Sequence, residues 1–384
     1  MIRWREGRVL GTGREWPGAV ELEVRLAPGP ADGAGDGRGD GSGGGGAGTG
    51  GTAAPCRALA YTGLVGRPEE GDRVLLNTTA LDLGLGTGGY AMVVALPDRL
   101  PPDAPAPGHL VKARYTPVQT AVLGADGQDA PTHGLLRGAE SVEGMPVVTA
   151  DLHSALPAVL AGAHLERPGL RAVYVMLDGG ALPAAFSRTV AGLREAGLLA
   201  ASVTTGQAFG GDLEAVTVHS GLLAARHVLG ADLAVVAQGP GNLGTGTPWG
   251  FSGVAAGEAV NAASVLGGRP VAALRVSEAD TRERHRGVSH HSLTAYGKVA
   301  VARADVPVPV LPGAFGERVA AEAAPLGGRH RLVEVPVDGL EEALRGLPLR
   351  LSTMGRSLDE DRACFLASAA AGRHAARLVG ALPR

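Results

Sequence analysis

The sequence predicts an α/β protein: a doubly wound, mostly parallel sheet preceded by a small β-barrel-like domain. Three observations predict it. Residues 1–122 are short strand-like runs punctuated by Gly and Pro, with no amphipathic helix between them. Beyond about Gly144, apolar runs of strand length alternate with helical stretches. Hydrophobic residues make up 45% of the 384-residue chain but aromatics only 3%, so a substantial core must be built from Ala, Val and Leu. The predicted division is therefore 1–122 for the barrel and 123–384 for the α/β domain.

In the first domain the runs are Arg8 to Gly11, Ala19 to Leu26, Arg57 to Leu64, Arg73 to Leu76, Tyr90 to Leu96 and His109 to Tyr115. The segment 28–55 is Gly, Ala, Asp, Ser and Thr with almost no large apolar side chain, too little to offset its ordering entropy. It is expected to be a disordered insertion at a hairpin tip. In the second domain the strands are Pro146 to Thr149, Ala172 to Leu177, Ala200 to Val203, Ala234 to Ala237, Val271 to Val276 and Lys298 to Val301. Leu182, Phe186, Val190 and Leu193 make one helical face, and Val218, Leu222, Ala225 and Leu229 another. A closing helix over about 359–379 carries acid at its start and base at its end, matching the helix dipole.

Composition excludes several classes of function. A net charge of -3 gives no electrostatic footprint for nucleic acid or an anionic membrane, so neither is expected as a partner. The longest uncharged stretch, Leu233 to Gly257, holds two prolines and many glycines and is not read as a membrane span. The start of the chain has no apolar signal region, and Cys56 and Cys364 form neither a disulfide framework nor a metal knuckle. A cytoplasmic protein is expected, with a homo-oligomer left open. Lys112 and Lys298 are the only lysines, which disfavours Schiff-base chemistry.

In an open α/β sheet, ligands bind beyond the carboxyl ends of the strands, so the residues after each apolar run matter most. Asp151 and His153 follow the first run, and Asp178 with Gly179 and Gly180 follow the second. Gln207 lies after the third, and the Gly/Thr-rich stretch Gly239 to Thr247 after the fourth. That stretch matches G-x-G-x-x-G at Gly239, Gly241 and Gly244. However, Pro248 delays the helix and no acid follows at the spacing a dinucleotide site needs. No NAD site is read from it, and the cofactor stays unknown. Its backbone N–H groups, with Thr245 and Thr247, could instead cradle an anion. Turn chemistry alone also places Gly and Asp at such positions.

The run Arg282-Glu283-Arg284-His285-Arg286-Gly287-Val288-Ser289-His290-His291 is the densest in functional side chains. Arg and His donors suit phosphate or carboxylate better than a metal, and the surrounding guanidinium groups oppose a cation. If the chain is extended there, His290 and His291 point to opposite faces. Asp151 and His153, two apart on an extended chain, share one face and could converge on one proton.

At Lys112-Ala113-Arg114-Tyr115-Thr116-Pro117, Leu152-His153-Ser154, Asp178-Gly179-Gly180-Ala181-Leu182-Pro183, Gly239-Pro240-Gly241 and Arg284 to His291, the chain resembles an uncharacterised bacterial family. That family is a domain of unknown function found mainly in actinobacteria and other Gram-positives. The resemblance spans nearly all of the chain outside the Gly-rich tract and implies no activity, substrate or catalytic residue.

The expected function is an enzyme acting on a small anionic, phosphate- or nucleotide-like ligand. His153 or His290 would serve as general acid/base, oriented by Asp151 or Asp178. Gln207, Gly239, Gly241, Gly244, Thr245, Thr247, Arg284 and Arg286 would hold the ligand. One alternative is a non-catalytic metabolite sensor or assembly protein. A lesser one is a metal-dependent hydrolase using His153, His285 and His290 with Asp151; otherwise no metal ligand is assigned.

Overall fold

The computed structural model describes residues 1–28, 55–85, 88–103 and 108–380. All but the ends of the Gly-rich tract, expected to be disordered, lies outside the described residues. The chain divides into two compact units, Met1–Pro105 and Ala106–Arg384.

The first unit is a closed barrel of β1 (Trp4–Trp16), β2 (Ala19–Leu26), β3 (Cys56–Tyr61), β4 (Arg73–Asn77) and β5 (Ala91–Ala95), in the order β1-β2-β3-β5-β4. Closure leaves no strand edge unpaired. Val9, Val20, Leu22, Val24, Val74 and Leu76 fill the interior, as the side-chain alternation of these strands requires. The run around His109 to Tyr115 does not join this barrel. Its β6 (Leu110–Lys112) pairs with β7 (Thr120–Val122) in a separate hairpin of the second unit.

The second unit is built on eight strands: β8 (Pro146–Thr149), β9 (Ala172–Leu177), β10 (Ala201–Thr204), β11 (Leu213–Glu214), β12 (Leu233–Gln238), β13 (Arg269–Ala272), β16 (Asp305–Val310) and β17 (Arg331–Pro336). Between β13 and β16 in the chain, β14 (Val276–Ser277) and β15 (Gly287–Val288) form a small ribbon. The order across the sheet is β11-β10-β9-β12-β8-β13-β16-β17, and every pairing within it is parallel. Both faces are covered, which explains the continuous apolar strands. Val148 faces a core with Leu156, Leu160, Ala371 and Ala375, while its neighbour Val147 faces the opposite core with Leu222, Ala225, Ala259 and Ala263.

Two of the helices on the first face are Leu156–Glu166, after β8, and Arg362–Leu378. They meet through glycine. A Cβ on Gly162 would lie 1.9 Å from the Ala369 carbonyl oxygen, and one on Gly372 would lie 1.8 Å from that of Val159. No side chain fits at either position.

One predicted strand is a correction. Lys298 and Val299 end a π-helical turn, Ala295–Val299, and Ala300 and Val301 belong to no strand; the strand is β16, further on. Pro307 and Pro309 disguise it in the sequence, since proline donates nothing to a ladder. They share one side of the strand, and β13 pairs with β16 only through Val271 and Asp305.

The strand order reverses at β8 and β12. From β8 the chain passes to β9 on one side, and from β12 it crosses to β13 on the other. The carboxyl ends of these adjacent strands form the switch point, where such sheets place ligands. No helix among the described residues is long and apolar enough to cross a membrane.

Candidate functional site

Asp151 leaves β8 fully inside the protein, and Gln238 ends β12 beside it. Gln238 Nε2 donates to the Asp151 carbonyl at 2.8 Å and to Asn242 Oδ1 at 2.9 Å, binding the two strand ends together. Arg275 follows β13, its side chain 4% exposed, with Nη1 3.6 Å from Asp151 Oδ2. Asp280 accepts from Arg282 at 2.9 and 2.8 Å and from Arg356 at 3.2 Å; Arg356 also donates to Asp361 at 2.9 Å. Burial alone would raise the Asp151 and Asp280 carboxyls. The His291 and Arg275 contacts at Asp151, and the Arg282 and Arg356 contacts at Asp280, reverse this and hold both below the usual carboxylate range. Arg275, Arg282 and Arg356 thus stand against Asp151, Asp280 and Asp361 as a charge-balanced network.

The histidines gather against this network. Ser289 caps the short helix His290–Thr294, so His290 and His291 start a helical turn instead of an extended chain. That corrects the expectation that they face apart. The ring centroids of His285, His290 and His291 lie 4.5 to 4.9 Å from one another. A ring nitrogen from each lies within 4.8 Å of the others. His285 Nδ1 is 2.8 Å from Ser289 Oγ. His291 Nδ1 is 3.2 Å from Asp151 Oδ2 and 3.2 Å from Arg275 Nη1. Phe251 stacks on the His291 ring at 3.7 Å and 4° between planes, fixing its orientation. Desolvation, helped by neighbouring positive charge, pulls His285 down to about 3 and His290 to about 4. Both imidazoles are neutral at pH 7.

His153 lies apart from this cluster. Tyr174 Oη donates to the Gln238 carbonyl at 2.8 Å, which leaves its oxygen to accept from His153 Nδ1 at 3.0 Å. Ser187 accepts from the Val190 amide at 3.0 Å and gives its own proton to His153 Nε2 at 2.7 Å. Both ring nitrogens are satisfied in the neutral form, and desolvation holds the group down at about 4. His153 is a buried strut between β9 and the helix Arg188–Glu195.

This has a measurable consequence. A folded-state value below the usual 6.5 means that the unfolded chain binds the extra proton first as pH falls. The stabilisation is whole above pH 6.5 and disappears toward pH 4, amounting to roughly 3 kcal/mol for so buried a group. Urea unfolding at intervals from pH 7.5 to 4.5 should show stability falling with acidification. A His153→Gln variant should show a shallower slope over that interval; an unchanged slope would refute the assignment.

Asp178 and Gln207 also lie elsewhere on the rim. Asp178 Oδ2 accepts from the Gln207 amide at 2.8 Å, and Gln207 Oε1 accepts from the Arg114 amide at 3.0 Å. Gln207 lies in the turn after β10, three strand positions from β8, whereas Asp178 follows β9, the neighbour of β12, and turns its carboxylate toward that turn.

Of the Gly/Thr stretch, Gly239 is buried, whereas Gly241, Gly244, Thr245 and Thr247 are exposed. The loop spends several donors on itself: Thr245 N on Gly250 O at 2.8 Å, Leu243 N on Ser252 Oγ at 3.0 Å, and Gly250 N on Thr247 Oγ1 at 3.1 Å. The Arg284 guanidinium lies beside it, 3.6 Å from where a Gly246 Cβ would stand. Arg284 is exposed and has no ion pair among the described residues, while Arg286 faces Glu283 at 3.9 Å. Asp151, His290, Arg284 and the Gly/Thr loop are therefore brought to one region, while the side chains of His153, Asp178 and Gln207 are spent on other partners.

Sequence reasoning missed Gln238, Arg275, His291 and Phe251. A lone Arg inside the apolar run Val271 to Val276, and Ser289 as a helix cap, were the available signals.

A family model for proteins of unknown function, DUF3866, matches residues 57–372. The chain belongs to this family. The match takes in β3 to β17 and all the residues of the switch-point cluster, so the site lies within the part that defines DUF3866. No curated protein and no solved structure matches the chain.

Proposed function

We propose that this DUF3866 protein is an enzyme acting on a small anionic, phosphate- or nucleotide-like ligand at the carboxyl ends of β8, β12 and β13. One observation carries the reading. Among the described residues, five buried side-chain nitrogen or oxygen atoms lack a hydrogen-bond partner: Thr149 Oγ1, Gln238 Oε1, Arg275 Nη2, His290 Nε2 and Arg373 Nε. Four of the five belong to the switch point. Leaving such an atom unpaired costs about 1–3 kcal/mol, a cost that proteins concentrate where a ligand supplies the partner. Arg275 and the exposed Arg284 would meet the negative charge, Gln238 Oε1 would accept from a ligand hydroxyl or amine, and the half-buried His290 would face the ligand as general acid/base.

The test is thermal unfolding of the purified chain with inorganic phosphate, pyrophosphate, nucleotides and sugar phosphates. At one hundred times its Kd a ligand adds about 2.7 kcal/mol, so Tm should rise with concentration. Arg284→Ala should weaken the response at least tenfold. A flat response across the wild-type panel would overturn the proposal. Binding without turnover of any ligand that binds would leave the sensor alternative in its place.

A further inference from the structure

We infer that His285, His290 and His291 form a three-imidazole site for one divalent transition metal of the zinc type, with Asp151 and Ser289 orienting two of the ligands. The inference goes beyond the anion reading and would change what faces the ligand, since the metal would stand between the imidazoles and the incoming group.

Three independent features of the geometry support it. The first is spacing. Zn²⁺ holds imidazole nitrogens at about 2.0–2.1 Å, which in a tetrahedron separates them by about 3.4 Å. The three ring nitrogens already lie within 4.8 Å of one another, so small side-chain rotations close the set. The second is the outer contacts. His285 Nδ1 is engaged by Ser289 at 2.8 Å and His291 Nδ1 by Asp151 at 3.2 Å, which leaves Nε2 of each as the coordinating atom. A metal-binding histidine commonly has its other nitrogen anchored by a carboxylate or hydroxyl in this way. The third is His290 Nε2, buried and without a partner.

Most of the nearby guanidinium charge is offset, and Arg284, exposed and without an ion pair among the described residues, is the one group left to oppose the ion. Arg275 Nη1 and Asp151 Oδ2 both stand 3.2 Å from His291 Nδ1, on the side of the ring away from Nε2. Their charges largely cancel at the site. Arg282, which from the sequence alone would repel a cation, is bound to Asp280. Imidazole also suits this class of metal better than magnesium or calcium. The set differs from the one expected from the sequence: His291 takes the place of His153, and Asp151 acts through it.

The test uses the full-length chain stripped by a chelator and then loaded with Zn²⁺ or Co²⁺. One metal per chain by elemental analysis is expected, with visible d–d absorption of the Co²⁺ form and a Tm that rises on loading. His290→Ala is the decisive variant, because the half-buried ring can be removed with the fold retained. It should keep the wild-type far-UV spectrum and bind Co²⁺ at least 100-fold more weakly, while Asp151→Asn should bind about 10- to 100-fold more weakly. No stoichiometric metal in the wild-type chain, or undiminished Co²⁺ binding by His290→Ala, would overturn the inference. Phosphate titration of the stripped protein separates this from the anion reading. A phosphate response by a chain that takes up no metal on loading leaves that reading standing and removes this one. Metal binding with no phosphate response in either form does the reverse.

Discussion

A Gly162→Ala variant should lose about 3 kcal/mol or more of stability or fail to accumulate folded protein, although alanine is the best helix former. The added methyl would meet the Ala369 carbonyl oxygen at 1.9 Å, a backbone atom held by its own helix and unable to turn aside. The helices Leu156–Glu166 and Arg362–Leu378 would have to separate, and both cover the centre of the sheet. Gly372→Ala should behave alike, because its methyl would strike the Val159 carbonyl at 1.8 Å. Gly192→Ala is the control. It lies inside the helix Arg188–Glu195, where a Cβ meets nothing closer than Leu349 at 3.8 Å, so stability should hold or rise by up to about 1 kcal/mol. Urea unfolding of the three variants decides it. A Gly162→Ala protein as stable as wild type would show that the helices do not pack this closely.

The second large effect is electrostatic. Asp151→Ala should cost about 3–5 kcal/mol, because it strands the Arg275 guanidinium in the interior with only Asp280, at 3.8 Å, nearby. The loss comes mainly from the uncompensated charge and not from a strong pair. Joining Asp151→Leu with Arg275→Met should therefore return most of it, since two apolar side chains of similar volume leave no charge to solvate. A double variant as unstable as the worse single one would mean that Asp151 is held chiefly by other contacts, such as His291 Nδ1.

Much of this architecture can be read from residue order. The strands β8, β9, β10 and β12 announce themselves as continuous apolar runs because both of their faces are covered. The polar residues after them mark the rim for the same reason, since nothing else in those runs needs water. The failures are just as physical. His290 and His291 were placed on opposite faces by strand geometry, but Ser289 starts a helix there, and one helical turn swings both rings toward His285. His153 looked like a partner of Asp151 because two residues apart on a strand means one shared face. The chain instead turns after β8, and that imidazole enters the space between Tyr174 and Ser187. Arg275 carried no spacing pattern at all. Its value comes from β13 lying next to β8, and adjacency in a parallel sheet is fixed by long crossovers that local patterns do not encode.

The pairing of the two glycine-notched helices also sets the order of events during synthesis. Arg377 reaches Glu166 across 211 positions of chain, so the layer over β8 is completed by residues translated long after that strand. Until then Val148, Leu156 and Leu160 have no partner from the late helix, and a nascent chain halted before residue 362 would present them to water or to a chaperone. Contacts so distant along the chain slow the search for the native state. Translation of residues 362–378, not emergence of the first strands, then becomes the moment at which this layer can close.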